Sequence, residues 1–177
     1  MLSLLSITLL GCVAAWSPGN PGRFDLAPPV GWSVTRNYRW LRTDHLVLAR
    51  VQAAISLRLE PSRGLVRTLP LGVLAPVRAL SWGRPLGIQS SLVAEHEIVV
   101  DGRRGYAVTG VRRLGPSLIG YSTVIVRTEE RLLELSLLAP PASLEAQASA
   151  WSAVLGSLRL ADPPEPIPTF VDESWPR

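Results

Sequence analysis

The dipeptide Asp101-Gly102, set between two alternating apolar runs, constrains this chain more than any other feature. Asp-Gly accepts the positive φ angles of a two-residue hairpin turn. Before it, Leu92, Ala94, His96, Ile98 and Val100 fall on one face of a period-two strand. After it, Tyr106, Val108 and Gly110 alternate with Ala107, Thr109 and Val111. A second hairpin is expected over 121–128 and 131–138, with Val124 and Val126 facing Leu133, Leu135 and Leu137 across a turn at Glu129-Glu130. Two successive hairpins imply four antiparallel strands, and a sheet of that size needs something to cover its apolar face.

The flanking segments supply more strands and the cover. Gly31 to Thr35 reads as a first strand. His45 to Glu60 reads as two strands joined near Gln52, with Ile55, Leu57 and Leu59 on one face and Ser56, Arg58 and Glu60 on the other. Between Pro70 and Gly83 the residues Val73, Leu74, Val77 and Leu80 recur at helical intervals, with Pro70 suited to the first helical position. Pro76 interrupts that pattern, so the helix is expected either to kink or to begin there. After Pro140-Pro141, Ser143 can cap a helix whose stripe is Leu144, Ala148, Trp151, Leu155 and Leu158. That stripe is expected to bury itself on the sheet face carrying Val124, Val126, Leu133 and Leu135. The fold class is therefore α+β, an antiparallel sheet of about six to seven strands packed by helices.

Composition removes whole classes of chemistry. All 18 basic residues are arginine, which excludes a Schiff-base lysine, a P-loop lysine and a Ser-Lys dyad. The arginines are dispersed among 14 acids for a net charge of +4, which argues against nucleic acid as a partner. The single cysteine excludes an intramolecular disulfide and any cysteine-based metal cluster.

That cysteine ends an uncharged apolar run, MLSLLSITLLGCVAA, which as a helix would cover about 22 Å against a hydrocarbon core of about 30 Å. The run suits a signal-peptide core better than a spanning helix. The segment Leu9-Leu10-Gly11-Cys12 resembles the lipobox of bacterial lipoproteins. The resemblance implies cleavage after Gly11, a diacylglycerol on the Cys12 thiol and anchoring in the cell envelope. Val13, rather than Asp, after the cysteine implies the outer membrane facing the periplasm. An ordinary signal peptide with an incidental cysteine and an uncleaved apolar anchor stay open as alternatives. The expected organisation is a signal peptide over 1–11, a lipidated N-terminus and flexible tether over 12–28, one domain over 29–160 and a Pro-rich tail over 161–177.

The body resembles the PsbP-like α/β/α sandwich, which includes a photosystem extrinsic subunit, a Ran-binding import factor and small bacterial lipoproteins. The matching residues are Pro29-Val30-Gly31-Trp32, the hairpin segment Val100 to Tyr106, and Leu133 to Leu137 leading to Trp151, Val154, Leu155 and Ser157 to Leu160. The resemblance implies a binding or assembly-supporting domain without catalytic residues or cofactor, with an envelope protein as partner. A small-ligand or lipid carrier, using a pocket between sheet and C-terminal helix, is the alternative.

Candidate chemical groups are few. His45 and His96 are the only imidazoles, and Glu95 and Glu97 point away from His96 on a strand, so no metal site is expected. A half-buried structural role is the expectation for His96. No serine sits in a G-x-S-x-G elbow, and Gly102 to Gly110 lies in a hairpin rather than a phosphate-binding strand-to-helix turn. Arg103-Arg104 and Arg112-Arg113 bracket one strand about 30 Å long and are expected to be solvated. Trp32, Trp40, Trp82 and Trp151 are expected in the core or lining a groove, with Trp16 at a membrane interface and Trp175 in the tail.

Overall fold

The computed structural model describes residues 24–40 and 43–161. The elements run β1 (Phe24–Asp25), β2 (Ser33–Trp40), β3 (Thr43–Arg50), β4 (Ala53–Pro61), α1 (Leu65–Thr68), α2 (Leu71–Ser81), β5 (Gln89–Val100), β6 (Arg103–Leu114), β7 (Ser117–Arg127), β8 (Arg131–Ala139), α3 (Ala148–Ser157) and β9 (Arg159–Leu160). Seven strands form one antiparallel sheet in the order β2-β3-β4-β8-β7-β6-β5, and β1 pairs with β9 alongside it.

The turns form where the sequence places them, because each is a local matter of φ. Gln52 and Asp101 take positive φ values of 60° and 50°, and Gly102 follows Asp101 at 72°. The β7–β8 register sets Val124 against Leu135 and Val126 against Leu133, as the alternation requires. The β5–β6 pairing departs from expectation at one point. A bulge between Leu92 and Ala94 moves Leu92 to the face opposite Ala94, His96 and Ile98.

Helices cover both faces. On one face α3 sets Val154 and Leu158 into a core built from Leu46, Leu48, Ile55, Leu57, Val124, Leu133, Leu135 and Leu137, with Trp32 beside them. Trp151, Leu155 and Leu144 only flank this core, so the stripe is rotated from the expected one and centres on Val154. Ser143 lies in a 3-10 turn, Pro141–Ser143, rather than capping α3, which has no side-chain cap. On the other face α2 lies over β5, β6 and β7 and buries Leu74, Ala75 and Ala79 against Val108, Tyr121, Ile125 and Leu132.

The expected helix forms as α2, but most of its stripe faces away from the sheet. The helix is continuous through Pro76, with Pro70 as its N-cap rather than its first residue. Leu74 does point inward, but Val73, Val77 and Leu80 point to solvent. Small residues face the sheet because its surface there is already bulky. A Cβ on Gly72 would sit 3.2 Å from the Tyr106 ring, so the helix rests nearly backbone-to-ring at that point.

Order also begins before the expected domain start. Phe24–Asp25 pairs with Arg159–Leu160, and Leu26 is buried in the α3-side core.

Gly110 lets Tyr121 lie across β6. A Cβ there would overlap the Ser91 carbonyl oxygen and come within 2.6 Å of the Tyr121 hydroxyl. Chemical denaturation of Gly110→Ala should show a loss of roughly 3 kcal/mol, since neither backbone nor ring can yield. Gly156→Ala, on the open side of α3 with nothing within 4 Å, should gain about 0.5–1 kcal/mol from helix propensity.

Candidate functional site

The two imidazoles do not meet. His45 is on β3 and His96 on β5, five strand spacings apart in the sheet order, or roughly 24 Å. His96 is exposed rather than half-buried, and its strand neighbours Glu95 and Glu97 project from the other face. Among the described residues no three His, Cys, Asp or Glu side chains group as metal ligands. Cys12, Trp16, Trp175, the 1–11 leader and the side chain of Trp40 lie outside the described residues.

The paired arginines behave differently from expectation. Arg104 and Arg113 are exposed, but Arg103 and Arg112 are only 4% and 2% exposed. Nine residues separate the two buried ones, so period two sends them to opposite faces. Arg103, on the α3 side, donates through Nη1 to Asp101 Oδ2 at 2.6 Å, and the same oxygen accepts the Leu160 backbone N–H at 2.8 Å. Asp101 therefore makes the turn and also ties β9 to it.

Arg112 lies on the α2 side, 4.3 Å from the Trp82 ring centre and 4.1 Å from that of Tyr121. Its Nε has no hydrogen-bond partner among the described residues. Burial pulls the Arg112 pKa below its usual value, and the Tyr121 hydroxyl, pushed up by burial, partly offsets this. The guanidinium stays charged and is held by the faces of two rings. Sequence reasoning missed this site because a cation-π contact between a strand and a helix C-terminus leaves no local pattern.

A second polar cluster pins α2. Arg78 donates through Nη1 to Glu134 Oε2 at 2.8 Å and pairs with Glu60, which also holds Arg58 at 2.6 Å. Beside it, Thr123 and Ser136 share a buried hydroxyl contact of 2.8 Å across the β7–β8 ladder. These carboxylates are engaged in holding layers together.

Two of the surfaces left open among the described residues carry large exposed apolar side chains. One is β5, an edge strand of 12 residues with Val93 and Val99 74% and 64% exposed. The other is the outer side of α2 and the turn beyond it, where Val73, Val77, Leu80, Trp82 and Leu86 are exposed.

The chain as a whole superposes on solved structures at low identity. Cyanobacterial PsbP from Synechocystis sp. PCC 6803 superposes with a TM-score of 0.58 at 11% identity, covering 85% of this chain and 99% of that one. The fold is PsbP-like. LpqN, a protein involved in cell envelope biogenesis of Mycobacterium tuberculosis, shares it with a TM-score of 0.52 at 16% identity, over 81% of this chain and 87% of its own. No protein-family model and no curated protein sequence matches the chain.

Replacing Arg112 by Lys should destabilise this PsbP-like domain by about 2 kcal/mol in denaturant unfolding, because an ammonium keeps the charge but loses the planar stack. His45 provides a pH test. Burial first and the Arg58 guanidinium second lower its pKa from 6.5, against weaker opposition from Asp44 and Glu60. The unfolded chain then binds the proton more readily, so stability falls as pH drops through 6.5 toward 5 and is retained above it. Unfolding midpoints followed over that range should slope less in His45→Gln than in the wild type.

Proposed function

We propose that this chain is a non-catalytic protein of the bacterial cell envelope, held to the membrane through an acylated Cys12, whose PsbP-like domain binds an envelope protein. The outer membrane, facing the periplasm, is the proposed site. Two or three acyl chains, at roughly 0.8 kcal/mol per buried methylene, give a stable anchor where one would not. LpqN, which shares the fold, is described as involved in cell envelope biogenesis, and that favours the same compartment here.

The observation that carries the binding role is the free edge of β5. Twelve residues long and terminal in the sheet, it has no strand paired along its outer side among the described residues. Such an edge offers unpaired backbone donors and acceptors to an incoming strand. The bulge at Val93 and the exposed Glu95, His96 and Glu97 limit pairing with arbitrary strands and select a partner that answers those charges. The carrier alternative has less support, since Val154 and Leu158 fill the position under α3 where its ligand would lie.

Two measurements test this reading. Cys12→Ser should abolish the mass increment of the acyl groups and release the protein from the membrane fraction; an unshifted mass with both forms soluble would sink the anchor. A photo-reactive side chain at position 93 or 99 should give one discrete adduct with an envelope protein in living cells, absent when the probe is at Ser152 on α3. No adduct from either β5 position would remove the proposed interface.

A further inference from the structure

We propose that the outer side of α2 is a membrane-contacting face that settles on an anionic phospholipid surface. The helix turns Leu74, Ala75, Arg78 and Ala79 toward the sheet and leaves Val73, Val77 and Leu80 outside. Val73, Val77 and Leu80 stand at i, i+4 and i+7 and form one ridge, 49%, 54% and 39% exposed. Trp82, 43% exposed, and Leu86, 76% exposed, extend it past the helix C-terminus. Trp82 cannot fold back to hide itself, because Arg112 lies against its ring.

Charge identifies the occupant. Residues 61–94 contain four arginines and no aspartate or glutamate. Arg78 is used internally, and Arg63, Arg67 and Arg84, in the segments just before and after α2, are exposed. Apolar side chains, an interfacial tryptophan and long cationic side chains in one acid-free segment fit the boundary between acyl chains and negative headgroups. The acids nearest the helix, Glu60 and Glu134, are largely buried and paired with Arg78 and Arg58, and Glu95 and Glu97 belong to β5, beneath the helix layer. A protein partner would have to supply its own dense carboxylates to match; an anionic bilayer presents negative phosphates everywhere.

This proposal stands apart from the Cys12 anchor and the β5 interface, and its test is built to keep them apart. In full-length protein carrying Cys12→Ser, an environment-sensitive fluorophore is attached through Val77→Cys, Leu86→Cys or, as control, Ser152→Cys on the opposite layer. On vesicles of phosphatidylcholine with phosphatidylglycerol, the labels at 77 and 86 should shift to the blue and become shielded from an aqueous quencher, while the label at 152 does not. The combined Arg63→Gln, Arg67→Gln and Arg84→Gln variant, with an unchanged unfolding midpoint, should partition roughly a hundredfold less strongly, from the contribution expected per basic residue. The proposal is overturned if the labels at 77 and 86 stay wet on these vesicles, if position 152 responds equally, or if phosphatidylcholine alone gives the same response. A shift that follows protein concentration without lipid would assign the ridge to a second copy of the chain and overturn it as well.

Discussion

The hairpin of β7 and β8 is buried on both of its faces, and most of the architecture is a response to that. Val124, Val126, Leu133, Leu135 and Leu137 form one apolar surface, and Tyr121, Ile125 and Leu132 form the other. A strand pair with one greasy face can sit on a single helix layer; a pair with two must be central and needs cover above and below. Position in the sheet follows, with β4 and β6 on either side of the hairpin and the more exposed strands β2 and β5 at the edges. The few polar groups that enter this centre do so in pairs, as Thr123 with Ser136 and Glu134 with Arg78, because a lone buried polar atom would cost more than the packing around it returns.

The two covers solve different problems. Over the aliphatic face, α3 brings Val154 and Leu158 into an ordinary apolar interface. Over the face carrying Tyr106 and Tyr121 the sheet side is already tall, so the helix must be thin. Gly72, Ala75 and Ala79 make it thin, and Arg78 reaches past its flank to Glu60 and Glu134. Val73, Val77 and Leu80 are left outside that interface, so the exposed ridge is a by-product of how this layer packs as well as a surface available for use.

What was legible in the sequence was what is decided over a few residues. Asp101-Gly102 and Gln52 declare turns, and alternation fixes which residues of β4, β7 and β8 share a face. The seven-stranded antiparallel sheet and its PsbP-like character follow from those elements in order. What was not legible depends on partners distant in the chain. Helical spacing alone ranks Val73, Val77 and Leu80 as core, because it does not record the height of the surface opposite. The bulge at Val93 inverts Leu92 without a glycine to announce it. Arg103 and Arg112 look like solvated strand ends until Asp101 and the rings of Trp82 and Tyr121 are brought to them. Cys12, in contrast, is readable only as a motif.

Geometry also bears on whether an anchor at Cys12 and a membrane-facing α2 are compatible. The chain enters the fold at Phe24, on the α3 side, beside Leu160 and the Asp101 turn. The ridge lies on the opposite layer. Three layers spaced about 10 Å apart put roughly 20 Å between the two outer ones. Twelve residues lead from Cys12 to Phe24, a contour of at most about 40 Å. A contour of that length would be enough for the proposed anchor and a bilayer against α2 to hold together. With the helix layer downward, the β5 edge would stand at the side of the domain rather than beneath it, within reach of the proposed partner strand.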